Sequence, residues 1–190
     1  MERKIPSREE ALALLKEYNS DRALINHAKA VEAVMRYMAV KKGHQDEVEK
    51  WGVIGLIHDV DYEQFPEEHC TKAVDILNEH GWPEDYIRAV VSHGWGICSD
   101  AEPENDLEKV LYAIDELTGL VTACALVRPS KSVMDLTAKS VKKKWKQRSF
   151  AAGADREVIQ KGAGMLGVEL SELFTDVIMG MREVSDEIGL

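Results

Sequence analysis

Several ligand-type side chains in this chain sit at the ends of apolar runs or inside them. His58 and Asp59 follow Val53-Ile54-Gly55-Leu56-Ile57, His93 follows Ala89-Val90-Val91, and Asp115 follows Val110-Leu111-Tyr112-Ala113-Ile114. His27 falls on the apolar stripe of Leu24, Val31, Val34, Met35 and Met38. One buried histidine is ordinary. A buried carboxylate without a partner costs on the order of several kcal/mol, and this pattern buries Asp59 and Asp115 together. A divalent cation would satisfy all five groups at once. The mixture of imidazole and carboxylate suits Mn, Fe, Co, Ni or Zn, one or two ions per chain, rather than an all-oxygen calcium site. The competing reading is structural: a hydrogen-bonded His58–Asp59 pair, a satisfied core histidine at 27, and an Asp115 that reaches a backbone donor.

Such a set can converge only if helices deliver it. Adjacent helical residues point about 100° apart, so His58 and Asp59 can share one ion only near a helix end, and the polar stretch from Asp61 to Pro66 supplies that end. Ser7 with Glu9 and Glu10 reads as a capped helix start. Apolar residues at helical spacing predict further helices over about 21–40, 46–58, 66–80, 83–93 and 106–127. A full or partial helix is expected over 130–145, and two short ones over 155–165 and 169–187. Gly43, Gly81-Trp82-Pro83, Pro129 and Gly153 mark the breaks, and 94–105 reads as a loop. No strand alternation, internal repeat or low-complexity segment is evident. The expected fold is all-α, one domain over 1–190, with a core at about 20–128 and a C-terminal helical extension at 129–190 that either caps the site or packs beside it.

Composition narrows the function. The chain is 45% hydrophobic and 31% charged, with a net charge of −10, which is enough apolar material for a core and a poor average surface for nucleic acid. Eight Lys or Arg against Asp135 alone between Arg128 and Arg148 make that stretch +7, which leaves −17 elsewhere. A basic strip on an acidic body suits a small phosphorylated ligand better than a long duplex. Three cysteines, Cys70, Cys98 and Cys124, form no CxxC pair, so neither a disulfide framework nor a cysteine-rich zinc site is expected. With no apolar leader after Met1 and no run of about 18 apolar residues, the expected location is the cytoplasm, away from the membrane.

The order and context of these residues resemble the HD superfamily of phosphohydrolases, whose His…His-Asp…Asp pattern lies on separate helices of an all-α domain. Here it reads Asn26-His27-Ala28, then Gly55-Leu56-Ile57-His58-Asp59-Val60-Asp61-Tyr62-Glu63, then Ala113-Ile114-Asp115-Glu116. Two-metal members, often called HDIG-type, add two histidines before the last Asp. His69 in Glu68-His69-Cys70-Thr71-Lys72-Ala73 and His93 in Val91-Ser92-His93-Gly94 look like those. Val60-Asp61 replaces the Ile-Gly of many members, and no Gly-Tyr-Pro follows His93. The segments Ala125–Ser132 and Ser149–Gly153 also look like an uncharacterised bacterial HD subfamily.

The resemblance implies a helical HD-domain bundle that hydrolyses a phosphoester on a nucleotide or another small phosphorylated metabolite. It implies metal ligands at His27, His58, Asp59, His69, His93 and Asp115, with Asp59 bridging two ions. Asp61 and Glu63 then stand as candidate acids or bases beside Asp59. Lys72, Arg128, Lys131, Lys143, Lys144 and Arg148 stand as candidate phosphate holders. Two alternatives remain: a non-catalytic nucleotide-binding or scaffold module, and a di-iron oxygenase on the same scaffold. His44 and His80, beside glycines at helix ends, read as structural. Trp95, directly after His93, is a candidate stacking surface.

Overall fold

The computed structural model describes residues 5–190. Among them are ten α-helices and no strand, so the fold is all-α. Helix α1 is Arg8–Tyr18, α2 Arg22–Lys41, α3 Val48–Ile57, α4 Thr71–Glu79, α5 Glu84–Ser92 and α6 Asp106–Leu126. The C-terminal part holds α7 Ala138–Trp145, α8 Arg156–Leu166, α9 Leu170–Arg182 and α10 Ser185–Ile188. None is long and apolar enough to cross a membrane.

Local chemistry sets the helix starts. Ser7 and Glu10 close a capping box on α1, and Asp21, Asn105, Thr137 and Asp155 cap α2, α6, α7 and α8 through their side chains. Helix α2 is the hub and packs on α3, α6 and α9, while α8 lies along α6. The α2–α3 contact is close because Gly55 has no Cβ: one would come within 2.9 Å of Met35 Cγ and 3.2 Å of the Glu32 Cα. The core between these helices is built from Val31, Val34, Trp51, Ile54, Ile57, Leu111, Ile114, Leu117 and Phe174, all essentially inaccessible. Trp51, Trp82 and Trp145 pack as expected.

Three expected boundaries move. The helix predicted from Pro66 is a 3-10 turn at Pro66–Glu68, and α4 begins only at Thr71. Between them Cys70 takes φ +69, which breaks the helix. The predicted 130–145 helix is helical only from Ala138, because Ser130, Ser132 and Asp135 turn the chain through side-chain hydrogen bonds. The last predicted helix is two, α9 and α10, separated at Glu183–Val184.

Candidate metal centre

Each ligand-type side chain arrives from a different element. His27 projects from the second turn of α2 and Asp115 from the middle of α6. His58 is the C-cap of α3, with Asp59 in the turn that follows. His93 is the C-cap of α5. His69 sits in the break before α4, not in a helical turn, so its ring is free to swing inward.

These residues converge into two groups that share Asp59. In the first, His27, His58, Asp59 and Asp115 bring one ligand atom each within 4.8 Å of the others. His58 Nε2 lies 3.2 Å from both Asp59 Oδ2 and Asp115 Oδ1, and His27 Nε2 lies 2.9 Å from Asp115 Oδ1. In the second, Asp59, His69 and His93 converge in the same way. The Nε2 atoms of His69 and His93 are each 3.5 Å from Asp59 Oδ1 and 3.1 Å from one another. Asp59 therefore turns one oxygen to each group.

The backing hydrogen bonds fix which nitrogen faces inward. Nδ1 of His58 donates to the Gly55 carbonyl at 2.8 Å, and Nδ1 of His93 donates to the Val90 carbonyl. Nδ1 of His69 donates to Asp61 Oδ1 at 2.7 Å. A neutral imidazole with its proton on Nδ1 presents a lone pair at Nε2. Two such lone pairs, on His69 and His93, face each other at 3.1 Å. That arrangement is repulsive unless a proton or a cation lies between them, and outer partners that hold Nδ1 in this way are the usual companions of metal-binding histidines. The donor set fits a divalent transition metal.

Electrostatics agree. Burial pushes the His58 imidazolium down, but the carboxylates of Asp59 and Asp115 outweigh it and hold its pKa well above the ordinary value. For Asp59, burial raises the pKa, and the charge of His58 together with the hydrogen bonds from His58 and His93 more than reverses that. Asp115 is lowered in the same way, with His58 and His27 overcoming burial. His69 is raised because the bond to Asp61 and the charge of Asp59 exceed the cost of burial. The carboxylates are thus anions that call for a positive partner.

A cavity of about 500 Å³ opens over the centre, with His27, Asp59, His69, His93 and Asp115 on its floor. Tyr62, Ile97, Cys98, Glu116 and the segment 151–158 form its walls. The C-terminal extension thus supplies one side of the cavity through Ala151, Gly153, Ala154 and Val158. None of these wall residues was singled out by sequence reasoning. For Tyr62 and Glu116 the available signal was adjacency to ligand residues; Ala151 and Gly153 fall in the Ser149–Gly153 segment noted for its resemblance, and nothing local marks Ala154 or Val158 as cavity residues.

Other expectations need correction. Asp61 is fully buried and faces away from the cavity: Oδ1 holds His69 and Oδ2 accepts the Ala73 amide at 2.8 Å. It is positioned to orient His69, not to exchange protons with a substrate. Glu63 is tied to the start of α2, accepting from the Ser20 and Asp21 amides and the Ser20 hydroxyl at 2.7–2.8 Å. None of the six basic candidates lines the cavity. Lys72 pairs with Asp75, Arg128 with Asp135, and Lys144 covers the Phe150 ring. Lys131, Lys143 and Arg148 are exposed on the surface. Trp95 packs on Tyr112, with Lys161 Nζ 3.4 Å from its ring centre. His80 Nδ1 donates to the Ile76 carbonyl and His44 pairs with Asp106, both structural as expected.

One more group lies beside the centre. His69, Cys70 and Cys98 also converge within 4.8 Å. Gly94 leaves room for both sulfurs, since a Cβ there would fall 2.3 and 2.4 Å from them. The hydrogen bond from Cys70, with help from His69 and His93, draws the Cys98 thiol down to about 6.

The HD domain family model matches residues 24–120, a span that contains all six converging histidines and aspartates. The chain belongs to the HD-domain family. Members are mostly metal-dependent phosphohydrolases, so the His/Asp groups of this HD protein are those of a metal-dependent hydrolase family at that coarse level. No curated protein and no solved structure matches the chain.

Proposed function

We propose that this HD protein is a two-metal phosphohydrolase acting on a nucleotide or another small phosphorylated metabolite in the cytoplasm. The observation that carries this is the division of Asp59: Oδ2 faces His27, His58 and Asp115, while Oδ1 faces His69 and His93. His27, His58, Asp59 and Asp115 would hold one divalent cation, and Asp59, His69 and His93 the other. Bound there, the cations would supply Lewis acidity, neutralising phosphate oxygens and making a water acidic enough to attack.

The chain's own residues do the rest. Asp59 fixes the spacing of the two positions. Gly55, Val90 and Asp61 hold three imidazoles in one tautomer, so Nε2 stays an electron-pair donor. The wall from 151 to 158 narrows solvent access to the floor. Burial raises the Glu116 carboxyl, which lies next to Asp115 on the cavity wall. It is thus a side chain of the cavity wall able to pass a proton to a leaving oxygen. Free thiols at Cys70, Cys98 and Cys124 are consistent with a reducing compartment.

The test is phosphate release from a panel of phosphomonoesters, phosphodiesters and dinucleotides with Mn, Fe, Co, Ni or Zn. Turnover that vanishes in Asp59→Ala, while the variant still melts cooperatively, is the expected result. Metal bound with no turnover across the panel would overturn it. Tight nucleotide binding without turnover would then indicate a binding module, and dioxygen consumption by the iron form would indicate an oxygenase.

A further inference from the structure

The hydrolytic centre makes no use of the two thiols beside it, Cys70 and Cys98. They converge with His69 within 4.8 Å, but His69 has no nitrogen to spare for a thiolate-held ion: Nδ1 is bonded to Asp61, and Nε2 faces His93 and Asp59. The group therefore reduces to two neighbouring sulfurs. The thiols are hydrogen-bonded to each other. A Cβ on Gly94 would fall 2.3 Å from one and 2.4 Å from the other, so the bare glycine is what lets them meet.

The two sulfurs differ in access. Cys70 is 1% exposed. Cys98 is half-buried and borders both the cavity over the metal floor and a second cavity of about 610 Å³ that Cys70 also lines. In such a pair the reachable thiol meets an oxidant and the buried one resolves it.

Position in the chain couples the pair to the metals. Cys70 directly follows His69 and, at φ +69 and ψ −46, forms the joint between that ligand and α4. Cys98 lies in the turn after His93, where the amides of Ile97, Cys98 and Ser99 all donate to the Gly94 carbonyl at 2.9–3.1 Å. A bond between the sulfurs would tie together the two segments that carry His69 and His93.

We propose that Cys70 and Cys98 are a reversible oxidation site, closed to a disulfide by a hydroperoxide, and that closure weakens the metal position of Asp59, His69 and His93. The second half rests on the two-metal reading. The Cys98 sulfur attacks one peroxide oxygen; an S–O bond forms, the O–O bond breaks, and the hydroxide released takes up the thiol proton as water. The Cys70 sulfur then attacks the Cys98 sulfur; the S–S bond forms, the S–O bond breaks, and a second water leaves with the Cys70 proton. Two thiols lose two electrons and the peroxide gains them. A covalent S–S bond is shorter than any contact between two thiols, so closure draws the Cys70 joint towards the 94–99 turn. Metal ligands tolerate about 0.2 Å of misplacement, and His69 is one peptide unit from the joint. In a reducing compartment a disulfide of this kind is transient and redox-sensing.

The experiment treats metal-free, fully reduced protein with equimolar hydrogen peroxide. The expected product has lost two hydrogens per chain in intact mass and falls from three free thiols to one. Its peptide map joins Cys70 to Cys98 and leaves Cys124 free, and dithiothreitol reverses the change. Calorimetric titration with Mn should show the Asp59, His69 and His93 position weakened about 10- to 100-fold on oxidation and restored by dithiothreitol, with the position of His27, His58 and Asp115 unchanged. Cys98→Ser should form no disulfide and bind Mn identically before and after peroxide. Oxygen added to Cys98 without a disulfide, a bridge between two chains, or a Cys70–Cys98 disulfide that leaves both positions at their reduced-state affinity would overturn the proposal. A reduced protein that binds Mn at one position or none would overturn the two-metal reading and the coupling with it, while mass and thiol count still decide whether the pair closes.

Discussion

Asp61→Asn should weaken one metal position and leave the other unchanged. Asp61 is inaccessible and spends both oxygens on N–H donors, 2.7 Å to His69 Nδ1 and 2.8 Å to the Ala73 amide. Asparagine has one acceptor oxygen and one donor nitrogen. The backbone amide cannot change its proton, so the oxygen stays with Ala73 and the NH₂ faces His69. His69 must then accept at Nδ1 and carry its proton on Nε2, which turns a ligand into a donor. The bond lost was charge-assisted, so the cost is about 1–3 kcal/mol of stability, or roughly 2–12 °C in Tm for a chain of this size. Loss of such an outer partner weakens metal binding about 10- to 100-fold. The loss should fall on the position formed by Asp59, His69 and His93, while the position of His27, His58 and Asp115 keeps its affinity. Calorimetric titration of Mn into metal-free protein would resolve the two, with thermal melts in chelator as the folding control. Two equivalents bound at wild-type affinity in a folded Asp61→Asn protein would refute the argument.

Three further predictions follow from the geometry. The metal-free protein holds protons on His58 and His69 more tightly than an unfolded histidine near 6.5; this stabilisation is complete below about pH 6.5 and is lost as pH rises through the higher folded values. A cation must displace those protons, so metal affinity should rise over the same window, and melts at pH 6 and pH 8.5 with and without Mn should move in opposite directions. Gly162→Ala should destabilise by about 1–3 kcal/mol, because its Cβ would lie 2.5 Å from the Ala113 Cα. Gly164→Ala, with open space at the same helix, should be neutral or stabilising by up to about 1 kcal/mol in urea unfolding. Lys142→Glu with Lys143→Glu should change kcat/KM less than about twofold, since exposed charges this far from a site are screened by salt.

Most of the ligand set was legible because burial is what made it conspicuous. His58, Asp59, His93 and Asp115 follow apolar runs that could only be core, and His27 lies on a helical stripe. The position of His69 was not legible in the same way. It depends on Cys70 adopting φ +69, a conformation that the residue type does not announce. The basic strip misled for a physical reason: a run of lysines reports a solvated surface, and its place relative to a cavity is set by tertiary packing. Asp61 and Glu63 are close in sequence to Asp59, yet the turn sends one behind His69 and the other to the start of α2. The 151–158 wall owes its place to α8 packing along α6, a contact between segments far apart in the chain.

Metal content per chain decides between a centre of two metals joined by Asp59 and a single-metal or structural His/Asp set. Protein purified anaerobically without an affinity metal would be analysed beside Asp59→Ala and a His69→Ala/His93→Ala double variant. Two equivalents of transition metal are expected in the wild type, one in the double variant and almost none in Asp59→Ala. Two equivalents retained by the double variant, or a folded wild type that takes up no Mn, Fe or Zn, would contradict the two-metal centre.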